Sequence, residues 1–214
     1  MTTTEIRAVV FDMDGVLIDA KEWHYEALNR ALGLFGHSVS RYDHLITYDG
    51  LPTRRTLEML SRERGLPTGL HGFINELKQV YTTELVHVGC KPIFQHEYAL
   101  AHLSADGLKL AVASNSIRST IDLMMQKSNL DPYLSTIVSN EDVALGKPDP
   151  AIYLKAFENL ELSADECLVL EDNEHGIRAA RDAGAHLLVV RSVHDVTYDR
   201  VRQRIQQIEG EDRA

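Results

Sequence analysis

Two cysteines in 214 residues, Cys90 and Cys167, give no disulfide framework and no metal-binding pair. Cys167 stands within an apolar run and is expected in the core. No apolar stretch is long enough to span a bilayer. Met1 to Thr4 has neither the charged nor the apolar region of a signal peptide, so a cytoplasmic enzyme is expected. Positive charge is also short, with 22 Lys and Arg against 32 Asp and Glu and a formal net charge of −10. That balance disfavours nucleic acid or an anionic membrane as the main partner. It leaves room for a small anionic substrate, which needs only a local positive site. Internal repeats and low-complexity segments are absent.

The remaining composition is that of an ordinary globular protein, 44% hydrophobic and 25% charged, long enough for one α/β core plus an insert. One stretch organises the chain. Ala8 to Phe11 is an apolar run that reads as a buried strand, and it ends in Asp12 and Asp14, two carboxylates at alternate positions. Like charges at the end of a buried strand are costly without a cation or polar partners. Gly15 then lets the chain leave the strand at an angle other residues resist. A solvated Asp-x-Asp turn is the plain alternative to a magnesium and nucleophile site.

Helical spacing follows. Trp23, Ala27, Leu28, Ala31 and Leu32 predict an amphipathic helix over Lys21 to Leu34. A short helix or turn is expected at Asp43 to Ile46. Thr53 is a candidate cap for a helix from Arg54 to Arg64, and Leu70 to Leu85 carries the next helical pattern. From Phe94 strands and helices alternate. Strands are expected at Leu108–Ala113, Thr136–Ser139, Cys167–Leu170 and His186–Val190. Helices are expected at Gln95–Ala105, Thr120–Ser128, Pro150–Leu160, Gly176–Ala183 and Val201–Ile208, with proline at the first position of the third. Such alternation implies an α/β fold with a doubly wound parallel sheet, whose ligands bind beyond the carboxyl ends of the strands.

Three further stretches carry chemistry. Ser114 and Asn115 follow an apolar strand, where a hydroxyl and backbone amides can hold a phosphate oxygen; a helix cap fits the same residues. Lys147 sits in Gly146-Lys147-Pro148-Asp149-Pro150, a loop that fixes its approach, though a solvated loop lysine is the common case. Leu168 to Leu170 runs into Glu171, Asp172 and Asn173, oxygen donors suited to hard magnesium or, more plainly, an acidic loop before a helix.

Phe11 to Asp19, Phe-Asp-Met-Asp-Gly-Val-Leu-Ile-Asp, resembles the first motif of the haloacid dehalogenase (HAD) superfamily. Ser114 and Asn115 match its second motif, Lys147 its third and Asp172 its fourth, with Glu171 in the companion acidic position. The motifs occur in order and span Val9 to Val190. The resemblance implies a HAD-like, Rossmann-type core over residues 1–19 and 91–214, with a helical cap over 20–90. That cap is similar to the small cap of the phosphoglycolate phosphatase and β-phosphoglucomutase subgroup. The chain departs from many relatives at Ala20, where they carry Thr or Ser, which puts hydrogen bonding in the core–cap linker in doubt rather than the chemistry. Retention of Asp14 argues against the dehalogenase and phosphonatase branches.

The implied chemistry is magnesium-dependent transfer of a phosphoryl group to Asp12, with Asp14 as acid and base and Lys147 and Ser114 stabilising charge. Asp12, Asp14, Asp172 and Glu171 are the implied metal residues, with direct contact by Glu171 left open. In the cap, His24 is similar in position to a histidine of the phosphomutases, but a lone helical histidine also suits a surface or structural role. Arg54, Arg55 and Lys78 are candidates for a second anionic end of the substrate, and exposed helical arginines are the ordinary alternative. Three readings result: a phosphatase for a small phosphorylated metabolite, a phosphomutase of the β-phosphoglucomutase kind, and a non-catalytic binding protein.

Overall fold

The computed structural model describes residues 5–211; Met1 to Thr4, read above for a signal peptide, lies outside them. Five parallel strands, β1 (Ala8–Phe11), β2 (Lys109–Ala113), β3 (Thr136–Val138), β4 (Cys167–Glu171) and β5 (His186–Val189), form one sheet in the order β3-β2-β1-β4-β5. β1 is central, with Ala8 opposite Lys109 on one side and Cys167 on the other. The order reverses at β1, so its carboxyl end opens into the crevice where doubly wound sheets bind ligands.

Apolar residues dominate the strands because both faces of the sheet are covered, with polar residues at strand ends: Lys109, Thr136, Glu171 and His186. Val9, Phe11, Leu110 and Val112 point to a layer that includes α5 (Phe94–Ala105), α6 (Arg118–Lys127) and α9 (Tyr198–Glu211). Ala8, Val10, Ala111 and Val169 face α7 (Ala151–Leu160) and α8 (Glu174–Asp182). Met124 and Met125 are fully buried, as their place in an apolar helix face suggests.

Between β1 and α5 the chain is helical: α1 (Lys21–Gly33), α2 (Arg41–Asp43), α3 (Thr53–Arg64) and α4 (His71–Gly89). α2 passes directly into one π-helical turn, His44–Tyr48. These helices share an apolar cluster of their own, including Leu28, Leu32, Leu57, Leu60 and Ile74. No helix among the described residues is long and apolar enough to cross a membrane.

Two helix starts differ from expectation. Thr53 does not cap α3 but is its first residue, and extended Pro52 occupies the cap position without a side-chain bond. Pro150 likewise precedes α7 instead of opening it, while Asp149 Oδ1 accepts from the Ala151 N–H at 3.0 Å. In both cases the fixed φ of proline suits the residue just outside the helix as well as the first one inside.

Candidate active site

Asp12 follows the carboxyl end of β1, lines the cavity there and is 5% exposed. Lys147 reaches it from the loop before α7. Its Nζ donates to Asp12 Oδ1 at 2.6 Å and to Glu171 Oε1 at 2.7 Å, and it is itself 3% exposed. Burial works against the Lys147 charge, but the two carboxylates outweigh it and hold its pKa above the ordinary value. Burial pushes the Asp12 carboxyl well above the usual range; Lys147 opposes this, whereas Glu171, Asp172 and Asp14 add to it. Three carboxylates, Asp12, Glu171 and Asp172, thus meet two lysines here, Lys147 and Lys21.

Glu171 closes β4 and is fully buried. Oε1 accepts from Tyr153 Oη at 2.6 Å as well as from Lys147, and Oε2 accepts from the Asp172 N–H at 3.0 Å. The Lys147 ammonium also lies 4.8 Å from the centre of the Tyr153 ring. Burial, then the Glu171 charge, raise the Tyr153 pKa well above normal, so the phenol remains a donor. Gly176 makes room for Glu171: a Cβ there would overlap its carboxylate. Gly15, at φ +88°, plays the same part beside Asp172. Asn173 caps α8, accepting from the Gly176 N–H at 3.1 Å.

Asp12, Glu171 and Asp172 offer carboxylate oxygens that all lie within 4.8 Å of one another. Hard oxygen donors in a pocket of excess negative charge fit a magnesium ion. Asp14 is not in that group, because its carboxylate is turned elsewhere: Oδ2 accepts from Ser116 Oγ at 3.2 Å, and Oδ1 lies 3.2 Å from His24 Nε2, in ion-pair range but off hydrogen-bond alignment. The other ring nitrogen of His24 is 3.2 Å from Lys78 Nζ. Burial alone would raise the Asp14 pKa, but His24, Lys78 and Ser116 together hold it below the usual carboxylate value. Lys78 is 8% exposed, and burial lowers its pKa to about 8 against a smaller opposing pull from Asp14.

Ser114 is 1% exposed at the end of β2, and its Oγ accepts from the Ser116 N–H at 3.1 Å. Neither Ser114 nor Asn115 caps α6, whose cap position is Ile117. Asn115 instead ties loops together: Oδ1 accepts from the Lys147 N–H at 2.9 Å, and Nδ2 donates to the Gly50 carbonyl at 2.8 Å. Arg54 stands at the mouth of the cavity with its side chain 88% exposed and its Nε 3.2 Å from Glu58. Arg55 is exposed outside the lining.

Sequence reasoning missed Lys21, Tyr153 and Ser116. Lys21, from the first turn of α1, places Nζ 2.7 Å from Asp172 and 3.3 Å from Asp49. Its position two residues after Asp19 was the only available signal, and nothing in its spacing points to Asp172. His44 and Tyr48, in the π-helical turn, also line the cavity.

A family model described as haloacid dehalogenase-like hydrolase matches residues 9–190. The chain is 30% identical over 197 residues to a phosphorylated carbohydrates phosphatase of Thermotoga maritima, covering 89% of this chain and 88% of that one. It is 29% identical to a phosphoglycolate phosphatase of Aquifex aeolicus, covering 84% and 82%. In fold it is similar to a β-phosphoglucomutase from Clostridium difficile, with a TM-score of 0.82 at 20% identity over 94% of this chain and 98% of that one. With the four motifs gathered at one end of the sheet and the match running from β1 to the end of β5, the chain belongs to the haloacid dehalogenase-like hydrolase family.

Proposed function

We propose that this enzyme is a magnesium-dependent phosphatase that hydrolyses a small phosphorylated metabolite through a phospho-aspartate at Asp12. The observation that carries the reading is the buried Asp12 carboxylate at the sheet crevice, held at 2.6 Å by Lys147 and grouped with Glu171 and Asp172. Similarity to a phosphorylated carbohydrates phosphatase and a phosphoglycolate phosphatase supports the substrate class. We assign residues 1–19 and 91–214 to the catalytic core and 20–90 to a cap over it. A cytoplasmic setting is part of the proposal, supported by two cysteines that are both free.

Asp12 and Asp172 would hold the magnesium ion, with Glu171 behind them; its oxygens already serve Lys147, Tyr153 and the Asp172 amide. When bound, the ion neutralises charge on the phosphoryl oxygens and keeps Asp12 ionised. Asp12 attacks phosphorus in line with the ester oxygen. Lys147 neutralises one side of the transferring group, and Ser114 with the following loop amides receives its oxygens. Asp14 protonates the departing alcohol. It then takes a proton from the water that attacks the phospho-aspartate, releasing phosphate and restoring Asp12.

Asp14 must carry a proton for the first step, yet His24 and Lys78 favour its ionised form in the absence of substrate. An arriving phosphate dianion shifts that balance, because a nearby negative charge favours the neutral acid. His24 and Lys78 are thus positioning residues for Asp14. The complete set of Asp12, Asp14, Ser114, Lys147 and Asp172 argues against a non-catalytic binder. A panel of phosphate esters scored for inorganic phosphate with magnesium tests the reading. Release from one or more small esters is expected; no release from any, or isomerisation of a sugar phosphate primed by a bisphosphate, would overturn it.

A further inference from the structure

We infer that the part of the substrate beyond the phosphate is neutral and bears hydroxyl groups, and that His44 is a residue that reads it. This rests on the phosphatase reading of the same cavity. Usable charge and unmet hydrogen bonds in the cavity both point this way. Lys78 is the one buried cation that the helical insert brings to the cavity lining, among the described residues, and it is held against His24 on the Asp14 side. Asp49 is spent on Lys21. Arg54 leads into solvent and pairs with Glu58. A second phosphate or a carboxylate entering the cavity would give up its hydration and find no free cation, which is costly. The remaining lining from the insert is neutral and includes Thr53, Thr56, Asn75 and Gln79.

His44 is the unmet group of the insert on the side away from Asp14. It is 5% exposed and lines the cavity, and its Nδ1 is buried without a hydrogen-bond partner among the described residues. Tyr25 packs edge-on against its ring at 5.3 Å, so the imidazole is held in place without being satisfied. Burial lowers its pKa, His24 and Lys78 add to the fall, and Asp49 and Glu22 pull the other way. A neutral imidazole both donates and accepts, as a sugar or polyol hydroxyl does. Its place in a π-helical turn fits a site residue, since such turns recur where function distorts a helix.

The test measures binding, so it does not depend on turnover. Asp12→Asn protein in magnesium is titrated calorimetrically with hexose, pentose and glycerol monophosphates, with fructose 1,6-bisphosphate, with 2-phosphoglycolate and with inorganic phosphate. The best neutral monophosphate should bind at least about tenfold tighter than inorganic phosphate, and the two anionic-ended esters should gain nothing over it. Adding His44→Phe, which keeps a ring for Tyr25, should cost that monophosphate about three- to tenfold and leave inorganic phosphate unchanged. Adding His44→Gln instead should recover part of the loss. Tighter binding of the bisphosphate or of phosphoglycolate would overturn the inference. So would an equal loss for every ligand in His44→Phe, or none. If this pattern holds while the wild-type enzyme releases no phosphate from any ester, the hydrolytic reading fails and the ligand assignment stands.

Discussion

Lys147 is the residue on which the charge balance of the site turns. It sits between Asp12 and Glu171, with all three side chains buried. Replacing it with methionine keeps the volume but leaves two carboxylates facing each other without water. Breaking a buried pair in this way costs about 3 kcal/mol, so Lys147→Met should lower the urea midpoint as well as activity. An unchanged midpoint would show that Lys147 is not paired as described. Lys78 gives a pH signature of its own. Its pKa falls from 10.5 in the unfolded chain to about 8 in the fold, so between those values the unfolded state binds more protons and stability rises with pH. Going from about pH 7.5 to about pH 9.5, the wild type should gain on the order of 2 kcal/mol relative to Lys78→Met. A parallel response in the two proteins would contradict the buried placement. That Asp12, Asp14, Lys147 and Asp172 would gather at one end of the sheet was legible in the sequence, because each follows an apolar strand or lies in a loop of unusual composition. Lys21 and Tyr153 were not, because their partners Asp172 and Glu171 are reached only after distant segments fold together.

Among the elements, α8 shows how a local rule is overridden. Gly176 is helical and buried, and alanine there would ordinarily stabilise by about 1 kcal/mol. Here the new methyl group would meet the Glu171 carboxylate, which Lys147, Tyr153 and a backbone amide hold in place. Gly176→Ala should therefore destabilise by about 1–3 kcal/mol in thermal or chemical unfolding. A stabilised variant would mean that Glu171 can move aside freely. The strands were easy to read, since a sheet covered on both faces needs unbroken apolar runs. Their ends were harder. Glu171 belongs to β4 although it is acidic, because the fold supplies a lysine and a phenol that no neighbouring residue announces. The π-helical turn at His44 had no signature beyond a short helical pattern.

At the scale of the whole molecule, the catalytic end of the sheet and the helical insert are joined by few polar ties. Asn115 reaches the Gly50 carbonyl, Lys21 joins Asp49 to Asp172, and His24 meets Asp14. These ties place the insert over the acids, and the excess negative charge beneath it calls for a cation. Magnesium should raise the thermal midpoint of the wild-type protein through preferential binding to the folded state. Asp172→Ala should abolish most of that shift, and an undiminished shift would remove Asp172 from the metal site. Activity should vanish with a chelator, and calcium, which prefers more ligands and longer bonds, should restore it poorly.

In the proposed reaction Asp12 carries the phosphoryl group and Asp14 serves it as acid and base. Rapid-quench reaction of Asp14→Asn with p-nitrophenyl phosphate tests this most directly. The nitrophenol leaving group needs little protonation, so transfer to Asp12 should survive, while water attack on the intermediate loses its base. The expected result is a nitrophenol burst of at most about one equivalent per site, followed by slow turnover. The trapped phosphate should map by mass to the peptide containing Asp12. Phosphate on a serine, or a burst that persists in the double variant with Asp12→Ala, would contradict the account.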